Sequence, residues 1–376
     1  MINLFEPQTD DLELKYIKKT LDSKWLAKGN EVFDFEKSFS KKIKTDHLRL
    51  ASTNGCSQAL FIAAKFFNFN NEDEIIAPSI SFHAVGNCIV DSGAKLVLCD
   101  VDKHSLNTNV DFIKKKVTNK TKAIILNHYG GIPCEMDPII QFCDKNEIVL
   151  IEDTACSPFS FYKSKASGTF GDMGLWSFDP MKVITTLEGG MIYLNAKHDI
   201  NYLKEQIYLG LESKVKSGID SLKEGNNRWW EFEITNAGNK SIMNNLCAAI
   251  GLAQLEKLKV NLSSRKKIHE MYCNELSKIS WLKLPPSIPS YIKSSYYFFW
   301  IQLEKRDELA NFLFKKNIYT TYRYHPLHKI KYFGQKKTGL ENSEIASRTT
   351  LCIPIHQSLS DENVKYIISC IKDFKN

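Results

Sequence analysis

The residues best placed to do chemistry lie in one stretch. Ile148-Val149-Leu150-Ile151 is an apolar run that ends in two acids, Glu152 and Asp153. Further on, Trp176-Ser177-Phe178-Asp179-Pro180-Met181-Lys182 leads through Thr185-Thr186-Leu187-Glu188-Gly189-Gly190 into a second apolar run, Met191-Ile192-Tyr193-Leu194. A carboxylate at a strand end, and a lone lysine between a Ser-Phe pair and a Gly-Gly turn, are what pyridoxal phosphate chemistry needs. The lysine amine forms the Schiff base, and the acid keeps the pyridinium nitrogen protonated so that the ring acts as an electron sink. Each residue alone has a plainer use. An acid there caps a helix, and one lysine among 50 basic residues is a solvated charge. Order and spacing together carry the reading.

Such residues need a frame. Short apolar segments alternate with helical ones: Lys95–Asp100, Lys122–Asn127 and Ile148–Asp153 read as strands, and Asp137–Lys145 as a helix. That alternation predicts a parallel sheet covered on both faces, with ligands at the carboxyl ends of its strands. Ser57, Phe82, His128 and Asp153 all fall just past or at such ends and are expected to converge. Before them, His47–Ser52 reads as a strand, Thr53-Asn54-Gly55-Cys56 as a turn, and Ser57 as the opening of a helix. A glycine turn into a helix start is a ready anion site, since free N–H groups and the positive dipole end face the loop. A simple Ser N-cap is the plainer reading of that segment taken alone. Phe82 offers a flat apolar face for a ring, or else a core side chain.

Asp153, Ser177-Phe178-x-x-x-Lys182 and Glu188-Gly189-Gly190 resemble the signature of the DegT/DnrJ/StrS sugar aminotransferases, and the similarity runs from Trp25 to Pro354. The resemblance implies an α/β, aspartate-aminotransferase-like (fold type I) large domain over 1–250, with a mostly parallel sheet covered by helices. A smaller C-terminal α/β domain would follow over 251–376. It implies pyridoxal 5'-phosphate on Lys182, with Asp153 at the ring nitrogen and Cys56, Ser57 and Ser177 at the phosphate. Phe82 would stack on the ring and Cys156 would lie beside it, three residues past Asp153 where relatives carry Gln or His. Glu188, Tyr324 and His328 are implied at the substrate, the last two in Tyr322-Arg323-Tyr324-His325-Pro326-Leu327-His328. Gly238–Asn245 matches a segment that reaches the partner's cofactor in relatives. Homodimers with shared active sites are therefore implied, with Asn239 or Lys240 making the contact because Ile242 replaces the usual polar residue.

The implied reaction takes an amino group from L-glutamate, leaving 2-oxoglutarate, and delivers it to a nucleotide-linked keto-sugar. Details of the Lys182 and Lys240 segments look most like those of 4-aminotransferases acting on dTDP-4-keto-6-deoxy-D-glucose. Their product is dTDP-4-amino-4,6-dideoxy-D-glucose, as in viosamine synthesis for surface polysaccharides such as lipopolysaccharide O-antigen. Aminotransferases for other positions or for GDP- and UDP-linked sugars remain alternatives. Sugar 3-dehydratases of this fold carry a histidine where this chain has Lys182, and a non-catalytic relative would be expected to lose Lys182 or Asp153.

Composition sets the remaining bounds. With 376 residues, 43% hydrophobic and 25% charged, the chain reads as an ordinary globular protein with room for one large and one smaller domain. No run approaches a membrane span and no signal peptide opens the chain, so a cytoplasmic protein is expected. Ten cysteines without a Cys-x-x-Cys pair indicate reduced thiols and no metal site. The net charge of +7 is scattered, without the aromatic-interleaved basic patch of a nucleic-acid binder. No Gly-x-Gly-x-x-Gly follows the first strand, which disfavours a nicotinamide enzyme. Trp229–Ile234 and Tyr296–Ile301 are predicted strands, and a long helix is predicted from Asn244 or Asn245 to about Leu276.

Overall fold

A computed structural model describes residues 1–212, 228, 230–334 and 338–375. Strands β1 (Leu50–Thr53), β2 (Glu74–Pro78), β3 (Lys95–Cys99), β4 (Thr121–Asn127) and β5 (Val149–Asp153) come first. Two short strands follow, β6 (Phe161–Tyr162) and β7 (Lys165–Ala166), then β8 (Met173–Ser177) and β9 (Gly190–Leu194). Seven of these form one sheet in the order β1-β9-β8-β5-β4-β2-β3. Its pairs are parallel except for the two made by β9. Because β9 runs against both neighbours, the other six strands share one direction and end at one edge. Buried residues fill both faces, as a parallel sheet requires: Ile76, Ile124 and Leu126 on one side, and Ile75, Ile125 and Ile151 on the other.

Helices close the frame where the sequence supplies caps and stripes. Asp10 caps Asp11–Ser23 in a reciprocal capping box with Glu13, and Asn244 caps the 32-residue helix Asn245–Leu276. That long helix packs on Asp11–Ser23, on Asn30–Ile43 and on the C-terminal helix Asp361–Asp373. Beyond it lie β10 (Ile292–Lys293), β11 (Phe299–Gln302) and β12 (Thr350–Ile353). β11 and β12 pair antiparallel over a third core that includes Leu309, Leu313, Ile367 and Ile371. Residue 250, the expected domain boundary, falls inside the long helix, and Ile2 pairs with Ile318 across the expected division.

Three expected strands are corrected. Trp229 lies outside the described residues, and Trp230–Ile234 forms no strand beyond a single bridge from Ile234 to Leu211. Its alternation of aromatic and acidic residues suits a half-buried sheet, but every side chain from 230 to 234 is exposed, so no face gains from pairing. The run Tyr296–Ile301 is strand only from Phe299. Before that, the Tyr297 and Phe298 N–H groups both donate to the Gly130 carbonyl, at 3.0 and 3.2 Å. A Cβ on Gly131 would lie 2.9 Å from the Tyr297 nitrogen, so glycine is what allows this close crossing. Similarly, His47–Arg49 is a 3-10 turn rather than strand.

Candidate active site

Five strand ends and the loops after them, with Tyr297 and the Arg323–Tyr324 loop, enclose a cavity of about 290 Å³, near the lower end of small-molecule sites at roughly 300–1,000 Å³. Cys56, Ser57, Phe82, Asp153, Cys156, Ser177, Lys182, Glu188 and Tyr324 line it, so nine residues expected at the site do meet. The chain delivers them from the turn after β1, the loop after β2, the end of β5, and the segment joining β8 to β9. Tyr324 comes from the loop after residue 320.

At the β1 turn, the helix Cys56–Phe66 starts with Gly55 as its cap and with no side-chain cap bond. A Cβ on Gly55 would meet nothing within 4 Å. The first N–H groups of this helix are thus open to the cavity, beside the exposed Ser57 and the buried Ser177. An oxyanion fits this cradle, because those donors lack partners and the helix dipole favours negative charge.

Asp153 ends β5 buried, and its Oδ1 accepts the Ala155 N–H at 3.0 Å. Burial raises its pKa, and the Ala155 bond, Lys182 and His128 pull down without cancelling the rise. A cation brought against Asp153 would restore its charge, which is the relation a pyridinium nitrogen has to its partner. Lys182 lies in a loop closed at several points: its N–H donates to the Asp179 carbonyl, Thr186 N–H to Phe178, and Phe178 N–H to Gly189, each at 2.9 Å. The Lys182 Nζ stands 4.9 Å from the Tyr297 ring centre. Burial lowers the Lys182 pKa, but Tyr297, Cys156 and Asp153 outweigh it, and the net direction is up. An amine, an isolated acid and an anion cradle in one cavity are the donor set that pyridoxal phosphate requires.

Four expected residues do not reach this cavity. His328 is buried elsewhere, between Ser79 Oγ at 2.5 Å and Glu344 Oε1 at 2.8 Å, where it anchors the loop carrying Tyr324. Asn239 lines a separate surface groove with Gln58 and Lys65, and Lys240 is exposed and bridged to Tyr208. His128, at the end of β4, is likewise committed. Its Nδ1 accepts the Cys134 N–H at 3.1 Å, so Nε2 carries the proton and donates to Glu152 at 3.0 Å. Glu152 also accepts from the N–H groups of Gly168, Phe170 and Gly171. Neighbouring positions on a strand face opposite ways, which gives Glu152 to the scaffold and Asp153 to the cavity.

Sequence reasoning missed Asn127, Tyr297 and Arg323 among the lining. Arg323 stood in a quoted segment and could have been named as a cation. Asn127, beside His128 at a strand end, could have been found by the same rule. Tyr297 could not, because it sits inside an aromatic run that reads as core. Arg323 packs over the Phe5 ring at 5.3 Å and donates to Met181 Sδ at 3.4 Å, and among the described residues no carboxylate pairs with it.

Comparison with known proteins agrees with this geometry. The model of the DegT/DnrJ/EryC1/StrS aminotransferase family matches residues 7–372. A dTDP-4-dehydro-2,3,6-trideoxy-D-glucose 4-aminotransferase of Saccharopolyspora spinosa is 38% identical over 98% of this chain and 95% of its own. The crystal structure of the aminotransferase TlmJ from Streptoalloteichus hindustanus superposes with a TM-score of 0.93 at 35% identity, covering 99% of this chain and 98% of that one. A Streptococcus pneumoniae protein, Spr1654, solved in a PMP form, superposes at 0.91 with 25% identity, covering 99% and 98%.

Proposed function

Because the chain belongs to the DegT/DnrJ/EryC1/StrS aminotransferase family, with pyridoxal phosphate as cofactor and a nucleotide sugar as acceptor, we propose that it aminates C4 of a dTDP-linked 4-keto-6-deoxy sugar, with L-glutamate as donor. The observation that carries the sugar and the position is the likeness to the Saccharopolyspora spinosa enzyme across nearly the whole chain. The best single acceptor is dTDP-4-keto-6-deoxy-D-glucose, and the product would serve surface polysaccharide synthesis.

When bound, pyridoxal phosphate supplies the electron sink that loosens a proton beside the transferred nitrogen. The chain's own residues do the rest. Lys182 would carry the cofactor and, when its amine is free, would move that proton between the cofactor carbon and the substrate carbon. Asp153 would hold the proton on the ring nitrogen, and Phe82 would lie against the ring face. The helix start at Cys56 and Ser57, with Ser177, would hold the phosphate. Glu188 and Tyr324 face the substrate, and Arg323 gives the cavity a second cation for the anionic groups that donor and acceptor both carry.

The site is completed, in this reading, by a second copy of the chain. Exposed Trp25, Leu26, Phe33 and Leu187 border the start of the long helix, where the Leu26 and Ala27 carbonyls accept the Asn245 N–H. Several exposed large apolar side chains near a binding cavity favour an interaction surface. Asn239 and Lys240, exposed and outside their own cavity, would then serve the partner's phosphate.

Mass spectrometry of products from purified enzyme, glutamate and a panel of keto-sugars tests the assignment. The panel should carry dTDP, GDP and UDP, keto groups at C3 and C4, and sugars with and without the 2- and 3-hydroxyls. Amination of dTDP-linked 4-keto sugars is the expected outcome. Preferential amination of a GDP- or UDP-linked sugar, or at C3, would replace it.

A further inference from the structure

The Tyr324 phenol is poorly satisfied for a buried group. Only 8% of the residue is exposed, and its hydroxyl meets the Cys156 thiol at 3.1 Å. A thiol is a weak donor and a weak acceptor, so this contact leaves most of the hydroxyl's hydrogen-bonding capacity unused. Packing, not a polar partner, sets its position. The ring meets Phe82 edge-on at 5.5 Å and Phe298 at 6.0 Å, and the preceding carbonyl, of Arg323, accepts from Tyr129 Oη. A rigidly held phenol with spare capacity, lining the cavity beside Asp153 and Lys182, is arranged to meet a ligand atom.

The cofactor's own shape indicates which atom. Its ring nitrogen and aldehyde carbon lie at opposite ends, and the phosphate arm and phenolic hydroxyl lie on opposite edges. With the nitrogen at Asp153, the aldehyde at Lys182 and the phosphate at the Cys56 helix start, one edge remains. Asn127 is held to the loop after β2, donating one amide N–H to the Ile80 carbonyl at 3.1 Å, with Ser81 Oγ 3.5 Å from its oxygen. Cys156 and Tyr324 make no such bond to the scaffold backbone and meet only each other through their side-chain polar atoms. Resting on the pyridoxal phosphate reading of this cavity, we infer that Tyr324 is the hydrogen-bond donor to the cofactor's ring hydroxyl, with Cys156 a spacer that leaves room for the phenol. Phe82, stacked on the ring, would hold that same phenol by its edge, so one aromatic pair sets both the tilt and the polarity of the bound ring.

A donor at that oxygen favours its ionised form, so the bound cofactor's visible absorbance should titrate at a lower pH with the donor than without it. Reconstituted holoenzyme can be titrated spectrophotometrically as wild type, Tyr324→Phe, Cys156→Ala, and Tyr324→Phe combined with Cys156→Gln. Tyr324→Phe keeps the ring packing and should raise the midpoint by about one pH unit, a tenfold change in the proton equilibrium. Cys156→Ala should leave the midpoint within a few tenths of a unit. The added glutamine, a true donor, should bring it back down. An unmoved midpoint in Tyr324→Phe, whether or not the KM for the sugar changes, would overturn the inference, as would a shift produced by Cys156→Ala instead. Borohydride fixation on Lys182 distinguishes this from failure of the wider reading. A wild type that binds no cofactor there overturns the cavity assignment and this inference with it.

Discussion

Asp153 and Lys182 owe their reactivity to the groups around them. Asp153 is raised by burial and eased by one backbone bond, so it awaits a cation to share its charge. Replacing it by Asn would leave the cavity's shape but remove the charge proposed to keep the ring nitrogen protonated. Turnover of Asp153→Asn should fall at least about a hundredfold, roughly 2.7 kcal/mol on the barrier, while fluorescence still reports bound cofactor. Normal turnover would refute the assignment. Arg323 invites a different experiment, since among the described residues no carboxylate neutralises it. Both proposed substrates would bring anions to a cavity whose other cation, Lys182, would be taken up by the cofactor. Arg323→Gln should therefore raise the KM for glutamate and for the sugar nucleotide by about tenfold, some 1.4 kcal/mol each, with kcat much less changed. Steady-state kinetics with each substrate varied in turn would show it.

Among the elements, the loop from Thr321 to Ile330 bears directly on the site, because it carries Arg323 and Tyr324. It is held by His328, wedged between Ser79 and Glu344, and by the Lys329–Glu344 pair at 2.8 Å. Burial pushes the Glu344 carboxyl up, but Lys329 and His328 more than reverse this and hold its pKa at about 2, against an ordinary 4.5. A carboxyl depressed on folding stabilises the chain fully above its unfolded pKa and loses that contribution as pH falls through the folded one. Wild-type stability should thus decline between about pH 4.5 and 2 partly through this group. In Glu344→Gln that part of the decline should be missing, as thermal melts across that range would reveal. The same loop shows where the sequence could be read and where it could not. The strand ends were legible, because short apolar runs closed by polar residues have few alternatives in a parallel sheet. Hence Ser57, Phe82 and Asp153 could be expected together before any coordinates. His328 was not legible, since a histidine beside a site looks the same in sequence whether it meets ligand or scaffold. Tyr297 was hidden by its aromatic neighbours, and reaches Lys182 only because Gly130 and Gly131 draw a distant segment across. Trp230 and Phe232 misled by periodicity, which records a pattern of side chains but not whether anything covers them.

At the scale of the whole molecule, the proposed second copy would cover the exposed Trp25, Leu26, Phe33 and Leu187. A stable two-fold interface of this kind would typically remove more than about 2,000 Å² from water. If Asn239 and Lys240 serve the partner's phosphate, a Lys182→Ala chain mixed with a chain altered at both Asn239 and Lys240 should regain up to one working site per mixed dimer. Each parent should be inactive alone. An active monomer by light scattering, or two dispensable residues, would end the idea. The long helix carries a further consequence. It begins at the cavity's rim, runs about 48 Å, and ends inside the C-terminal core through Ile268, Tyr272 and Leu276. The chain's first residues cross over as well, Ile2 to Ile318 and Phe5 stacked on Tyr297 at 5.5 Å. Neither portion can come apart without stripping a face from the other. Calorimetry should accordingly record one endotherm, with the heat of the whole chain absorbed in a single cooperative step, and a small C-terminal fragment cut within the helix should not hold a fold of its own.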